Sequence, residues 1–453
     1  MRFAELESCD VAIWGLGREG RAALAALRRR FPEKSLTLHC KREEAEQARA
    51  MIGDRVRVIE TSPDAQALAA HDIVIKSPGI SAYKPEIVEA QKRGTRFTSG
   101  TALWFGENPN ARVIAVTGTK GKSTTTAMIA HCVRALGIRT ALAGNIGMPL
   151  LELDGQHADL WAIELSSFQT GDAGPVEVGV VVSLEEDHLD WHGTRERYIA
   201  DKLKLADVSR RLVVNAQSPL LMQRTVAHPR RVTFGDAQGW NASGSAICKG
   251  AERICAISEL PLAGAHNAHN VCAALTAIEL LGLDARAAAP ALRTFRPLPH
   301  RLQRLGIRFG LEWIDDSIAT TPAASLAALR SIGDRTATLI LGGFDRGLDW
   351  DGFARELAAH PAHAVIAQGA NASRILEALS RVAMPTHLER ADDFENAVMR
   401  ARAVTPPGGV VLLSPGAPSF DRFKDYAERG RAFAALAGFD AALLGEIEGL
   451  GIA

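Results

Sequence analysis

The chain has 453 residues, more than one ordinary hydrophobic core accommodates, so two or three domains are expected. Basic and acidic residues number 52 each, and no net field favours nucleic acid or an anionic membrane surface. Six scattered cysteines without a C-x-x-C pair, no apolar run of about 18 residues and an acidic N-terminal stretch point to a reduced, cytoplasmic protein with no membrane span or signal peptide.

A strand is expected over 11–14, followed by Gly15-Leu16-Gly17-Arg18-Glu19-Gly20 and a helical pattern over 21–30. Backbone amides and a helix dipole in that context can hold a diphosphate. NAD binding and tight strand–helix packing are alternatives. The dinucleotide fingerprint wants an acid ending the second strand, and the strand over 36–39 instead runs into Cys40-Lys41-Arg42. A further strand over 73–75 and a polar linker over 106–110 complete this segment.

The second segment opens with a strand over 113–116 and the loop Thr117-Gly118-Thr119-Lys120-Gly121-Lys122-Ser123-Thr124, leading into a long helix. Gly118 and Gly121 allow amides to approach ATP phosphates, Lys122 brings charge to the β and γ oxygens, and Ser123 can ligate Mg²⁺. The loop is shorter than G-x-x-x-x-G-K-S, because Val116 stands where the first glycine falls. Strands over 160–164 and 178–184 end in Glu164 and in Glu185-Glu186-Asp187-His188-Leu189-Asp190. Parallel strands put these ends on the phosphate-loop edge, where the acids can meet its metal; helix N-capping is the plainer alternative. Lys202 lies on a helical run and reads by composition as a surface lysine. Asn267 and Asn270 stand one turn apart at the head of a helix expected over 267–281, able to face one ligand edge, or to cap it in one case.

After the turn at 296–299 the strand–helix rhythm restarts, with strands over 312–314, 337–341, 364–367 and 410–413. Their ends carry Asp315-Asp316-Ser317, Gly342-Gly343-Phe344-Asp345-Arg346-Gly347 and a serine loop reaching Ser419. Arg346 and Ser419 suit a carboxylate-bearing substrate, or plain turn chemistry. The expectation is an α/β protein of three domains. A Rossmann-like domain spans 1–107, a P-loop ATPase-type domain with a mostly parallel sheet spans 108–300, and a second Rossmann-like domain spans 301–453.

Taken together the motifs resemble the Mur ligases, and within them the glutamate-adding branch. The resemblance rests on GTKGKST at 118–124, GNIG at 144–147, ELSSFQ at 164–169, EDHLD at 186–190, Lys202, HNAHN at 266–270, PHR at 299–301, DDS at 315–317, GGFDRG at 342–347 and LLSPGAPSFDRF at 412–423. It implies peptidoglycan precursor synthesis. The carboxylate of UDP-N-acetylmuramoyl-L-alanine takes the γ-phosphoryl group of ATP, and glutamate then displaces phosphate from the acyl phosphate.

The resemblance also implies residue roles. Gly17, Arg18, Glu19, Asn145 and Ser166 bind the UDP substrate, so that loop one holds a diphosphate and not NAD. Gly118, Thr119, Lys120, Gly121, Lys122, Ser123, Thr124, Asn270, Arg301 and Asp316 bind ATP. Ser123, Glu164, His188 and a carbamylated Lys202 hold two Mg²⁺ ions, and Lys122, Glu164, His188 and Lys202 are catalytic. Thr320, Arg346, Ser419, Phe420 and Tyr426 receive glutamate, and the enzyme is a monomer.

Three departures stand out: Lys120 replaces the family's asparagine, Gln303 its acid after His-Arg, and Ile318 the lysine of Asp-Ser-Lys-Ala-Thr. Loss of that last fixed charge, with the altered 414–426 loop, favours the branch that uses L-glutamate over D-glutamate. A folylpolyglutamate synthase-like ligase is the remoter alternative.

Overall fold

The computed structural model describes the chain except residues 53–54, 186–188, 263 and 446. It contains three mostly parallel sheets, as the α/β reading expects, arranged in two compact units: Met1–Phe295 with Gly449–Ala453, and Arg296–Glu448.

In the first unit, five parallel strands run in the order Val56–Ile59, Leu36–His39, Val11–Trp14, Ile73–Lys76 and Arg96–Thr98. Val11–Trp14 is buried throughout, the mark of a strand covered on both faces. Strand order reverses between it and Ile73–Lys76, the switch point at which doubly wound sheets bind ligands. The helix Arg18–Arg30 begins three residues before the expected start, with Gly17 as its N-cap.

The second sheet of this unit orders Arg231–Phe234, Ser209–Asn215, Val176–Val181, Val113–Thr117, Leu160–Glu164 and Thr140–Gly144 in parallel. Gly451–Ile452 closes its edge antiparallel. Val113–Thr117 thus lies between the strands ending at Glu164 and Val181, which brings three loops to one edge. The strand expected over 178–184 spans Val176–Val181. The chain leaves the sheet at Val182 to hydrogen-bond the phosphate loop: Val182 N donates to Thr117 O at 2.9 Å, and Thr119 N to Ser183 O at 3.0 Å. The small antiparallel sheet Trp240–Ser243, Ala246–Lys249, Glu252–Ala256 has no counterpart in the expected elements.

In the second unit Gln303–Arg308 pairs antiparallel with Leu311–Asp315. Val410–Leu413, Ala337–Leu341, Ala364–Ala367 and His387–Arg390 follow in parallel. The strands ending at Asp315, Leu413 and Leu341 are neighbours, so the three loops expected to receive a carboxylate leave from adjacent positions.

Candidate active site

Loop one turns sharply after Trp14. Gly15 has φ 93°, its N–H donates to His39 O at 2.8 Å, and its carbonyl accepts from Ser77 Oγ at 3.1 Å. A Cβ on Gly20 would lie 2.0 Å from Gly15 O, so only glycine lets the helix start this close to the strand. The amides at the head of Arg18–Arg30 face a cleft of about 780 Å³, lined by Gly15–Glu19, His39–Arg42, Ser77–Ile80, Asn145, Phe168 and Gln169 among others. Four of the five residues expected to bind the UDP substrate, Gly17, Arg18, Glu19 and Asn145, line this one cleft. Ser166 is buried one step behind it, its Oγ donating to Gln169 Oε1 at 2.8 Å. Gln169 Nε2 in turn donates to Glu19 Oε1 at 3.2 Å. Burial, with repulsion from Glu152 and Asp172, pushes the Glu19 carboxyl up to about 7.

The phosphate loop is held from both sides. Gly118 (φ 154°) and Gly121 (φ 82°) both adopt positive φ, and a Cβ on Gly121 would lie 2.4 Å from Asn270 Oδ1. Lys120 N donates to Ser183 Oγ at 2.8 Å, and its ammonium pairs with Glu185 at 3.0 Å. Lys122 Nζ donates to Thr119 O at 3.0 Å, and Thr119 Oγ1 lies 2.7 Å from the Tyr198 hydroxyl. Ser123 and Thr124 fall in the first turn of the helix Lys122–Ala135. Asn270 Nδ2 donates to Asn267 Oδ1 at 3.2 Å. Neither asparagine caps its helix, contrary to the plainer reading: the helix is Ala265–Leu280 and Gly264 is the N-cap.

Glu164 is 1 % exposed, and its Oε1 accepts from Asn145 Nδ2 at 2.9 Å. Its Oε2 is buried without a hydrogen-bond partner among the described residues. Leaving such an oxygen unsatisfied costs on the order of 1–3 kcal/mol or more. It also sits at the strand end beside a phosphate loop whose first turn carries Ser123, and oxygen donors of this kind fit a magnesium ion. No helix begins at Glu164, so the capping alternative fails there too.

The surface-lysine reading of Lys202 is overturned. Its side chain is buried, and Nζ donates to Gly118 O at 2.9 Å. The preceding residue explains how it is anchored. Asp201 accepts from Tyr83 at 2.7 Å, from Lys204 at 2.6 Å and pairs with His192 Nδ1 at 2.7 Å, while His192 Nε2 lies 2.9 Å from Ser167 Oγ. Burial raises the Asp201 carboxyl, but hydrogen bonds from Lys204, Tyr83 and His192 outweigh it and hold the group below the usual carboxylate range. His188, with Glu186 and Asp187, lies outside the described residues.

In the second unit, Asp316 Oδ2 accepts from Ser414 Oγ at 2.7 Å and Oδ1 from Leu302 N at 3.1 Å; burial pushes its carboxyl up to about 7. Arg301 Nε is buried without a hydrogen-bond partner among the described residues. Ser419 is buried, Thr320 and Tyr426 half-buried, and Arg346 and Phe420 exposed. Sequence reasoning missed the residue that ties these loops together. Arg429, 1 % exposed, donates from Nε to Ser317 Oγ at 3.0 Å and from Nη2 to Ser317 O and Ala417 O, both at 2.9 Å. Ser317 Oγ donates to Tyr426 O at 2.8 Å, and Phe344 N to Pro418 O at 2.9 Å. A single arginine on an amphipathic helix gives no signal of this in sequence.

Comparison with known proteins agrees with the geometry. Residues 116–278 match the Mur ligase middle domain, and residues 300–416 the domain described as "Mur ligase, glutamate ligase domain". The chain belongs to the Mur ligase family. It is 49% identical, over 100% of both chains, to the UDP-N-acetylmuramoyl-L-alanine–L-glutamate ligase of Xanthomonas euvesicatoria. The ligase of the same name from Salinispora tropica is 36% identical over 96% of this chain and 98% of its own. Among solved structures, the Mur ligase MurC from Thermotoga maritima superposes with a TM-score of 0.61 at 20% identity, covering 94% of this chain and 98% of that one. MurF of the same organism, solved with ADP, gives 0.58 at 16% identity over 95% of each. This Mur ligase is an ATP-dependent, ADP-forming amino-acid ligase.

Proposed function

We propose that the protein adds L-glutamate to UDP-N-acetylmuramoyl-L-alanine during peptidoglycan precursor synthesis, in the cytoplasm and as a monomer. Full-length identity to relatives named for L-glutamate carries the choice of hand, and Ile318 in place of the family's lysine accords with it. Residues 1–107 take the UDP moiety, 108–300 the ATP phosphates and 301–453 the amino acid. Gly17, Arg18, Glu19 and Asn145 form the acceptor cleft, with Ser166 behind them.

In the first step a carboxylate oxygen of the acceptor attacks the γ-phosphorus, and the bond to the bridging oxygen of ADP breaks. Amides of Gly118 to Ser123 cradle the phosphates, and Lys122 neutralises the γ oxygens. Lys120, Thr119 and Thr124 complete the loop, and Asn270, Arg301 and Asp316 contact the nucleotide. Ser123 and Glu164 would hold one magnesium ion, and His188 with Lys202, once carbamylated, a second; such ions would supply charge neutralisation to the phosphoryl oxygens. In the second step the glutamate amine attacks the acyl carbon. A tetrahedral intermediate forms, phosphate leaves with the electron pair of its C–O bond, and the amide nitrogen releases a proton. Thr320, Arg346, Ser419, Phe420 and Tyr426 orient glutamate.

Purified enzyme supplied with ATP, the acceptor and each glutamate enantiomer separately tests the reading. Phosphate release with L-glutamate is expected. Release with D-glutamate alone contradicts the choice of hand, and release with a folate acceptor in place of the UDP substrate contradicts the acceptor.

A further inference from the structure

The last residues of the chain leave the second unit at Glu448 and rejoin the first at Gly449. There Gly451 pairs with Leu142 and Ile452 with Ala141, and Thr140 N donates to Ala453 O at 2.8 Å. Covering a sheet edge is one task for such a strand, but the segment is built for more.

Arg134, in the last turn of the phosphate-loop helix Lys122–Ala135, grips it. Nη1 donates to Gly449 O at 2.8 Å, Nη2 to Gly451 O at 2.9 Å and to Thr140 O at 2.6 Å. Gly449 and Gly451 have φ 73° and 86°, a conformation that glycine adopts without strain. A Cβ on Gly449 would lie 2.2 Å from Arg134 Nη1, and one on Gly451 3.5 Å from Met148 Sδ. The close approach at Gly449 and the positive φ at both positions mark a segment shaped to the clamp beneath it.

The other end of the clamp is the loop 144–148. Gly144 N donates to Met148 O at 2.7 Å, closing the loop, and a Cβ on Gly147 would lie 3.6 Å from Leu450 Cδ1. Gly147 O accepts from Arg18 of loop one at 3.5 Å. Asn145, inside the loop, is fixed to Glu164 twice, through its own N–H to Glu164 O and its Nδ2 to Glu164 Oε1, both at 2.9 Å.

We infer that residues 449–453 are a positioning element of the acceptor site. Seated by Arg134, they hold the 144–148 loop so that Asn145 keeps the Glu164 carboxylate aimed and Gly147 meets Arg18. The inference rests on the roles given to Asn145 and Glu164 above. It makes acceptor use depend on a segment that follows the amino-acid unit in sequence and touches no substrate.

The test is a chain ending at Glu448, with Arg134→Met and Gly449→Ala in full-length protein as variants that keep the segment. Steady-state phosphate release gives KM for each substrate, and hydroxylamine trapping of the acyl phosphate without glutamate gives the first half-reaction. Acceptor KM should rise about tenfold and trapping should fall, the scale seen when groups orienting a ligand carboxylate are lost, while glutamate KM stays within about twofold. In an Asn145→Ala background, Gly449→Ala should add little, because both act through the same loop. Lower melting temperature with unchanged KM values, or full additivity with Asn145→Ala, overturns the inference and leaves an edge cover. If the truncated chain does not fold, the two full-length variants decide. Absence of acceptor-dependent phosphate release in the unaltered enzyme would instead defeat the proposed function.

Discussion

In the first unit the loop after Val113–Thr117 offers its ligand mainly main chain, made accessible by Gly118 and Gly121. The loops of the second unit offer side chains, and they are tied to one another through the buried guanidinium of Arg429. Phosphate is the same in every reaction of this kind, and a backbone cradle suits it whatever the acceptor. An amino acid must be told from its neighbours, and that discrimination rests on side chains that can change while their support stays. On the proposed function, the phosphate cradle lies in the first unit and amino-acid choice in the second, which also lends Arg301 and Asp316 to the nucleotide.

Replacing Lys122 by Ala attacks the activation side and should have the largest effect. Loss of phosphate release by about 10²–10³-fold or more is expected, the scale of removing a preorganised charge-stabilising donor; near-normal turnover contradicts the assignment. Arg429→Met attacks the other side. Ser317 and Ala417 lose charge-assisted hydrogen bonds worth roughly 1–3 kcal/mol together, so the melting temperature falls. KM for L-glutamate should rise about tenfold, the effect of loosening groups that orient a ligand, with KM for ATP little changed; an equal rise in both would erase the division between units.

Gly121→Ala probes how far the cradle depends on glycine. Its φ of 82° and the 2.4 Å approach of Asn270 Oδ1 disfavour any side chain. Positive φ alone costs roughly 1–2 kcal/mol for an L-residue, so KM for ATP should increase without change in KM for glutamate. Glu19 gives the smallest expected effect, and a pH-dependent one. Its folded carboxyl is raised from 4.5 to about 7, so the fold prefers the neutral form. Stability from this group is therefore complete below pH 4.5 and is lost as pH climbs through 7. Melting curves between pH 5 and 8 should show wild type losing ground to Glu19→Gln; parallel curves would mean that Glu19 is ionised throughout.

Much of this was legible in the sequence because glycine loops, strand-end acids and long apolar runs carry their physics locally. The strands at 11–14, 36–39, 160–164, 337–341, 364–367 and 410–413 have the expected bounds. What escaped depends on partners far along the chain. Lys202 looks like a surface residue until the fold buries it and brings its Nζ to Gly118 O, 84 positions away. Arg429 reaches Ser317 across 112 residues. Short strands such as Thr140–Gly144, with its Thr-Ala-Leu-Ala-Gly sequence, and Gly451–Ile452 lack a pattern strong enough to stand out.

Hydroxylamine trapping of the acyl phosphate, in wild type and in Arg429→Met, tests the division of labour most directly. With ATP and UDP-N-acetylmuramoyl-L-alanine alone, both proteins should form hydroxamate at similar rates. L-glutamate should suppress trapping in wild type at much lower concentration than in the variant. Hydroxamate that forms only when glutamate is present, or that Arg429→Met abolishes, would contradict the account.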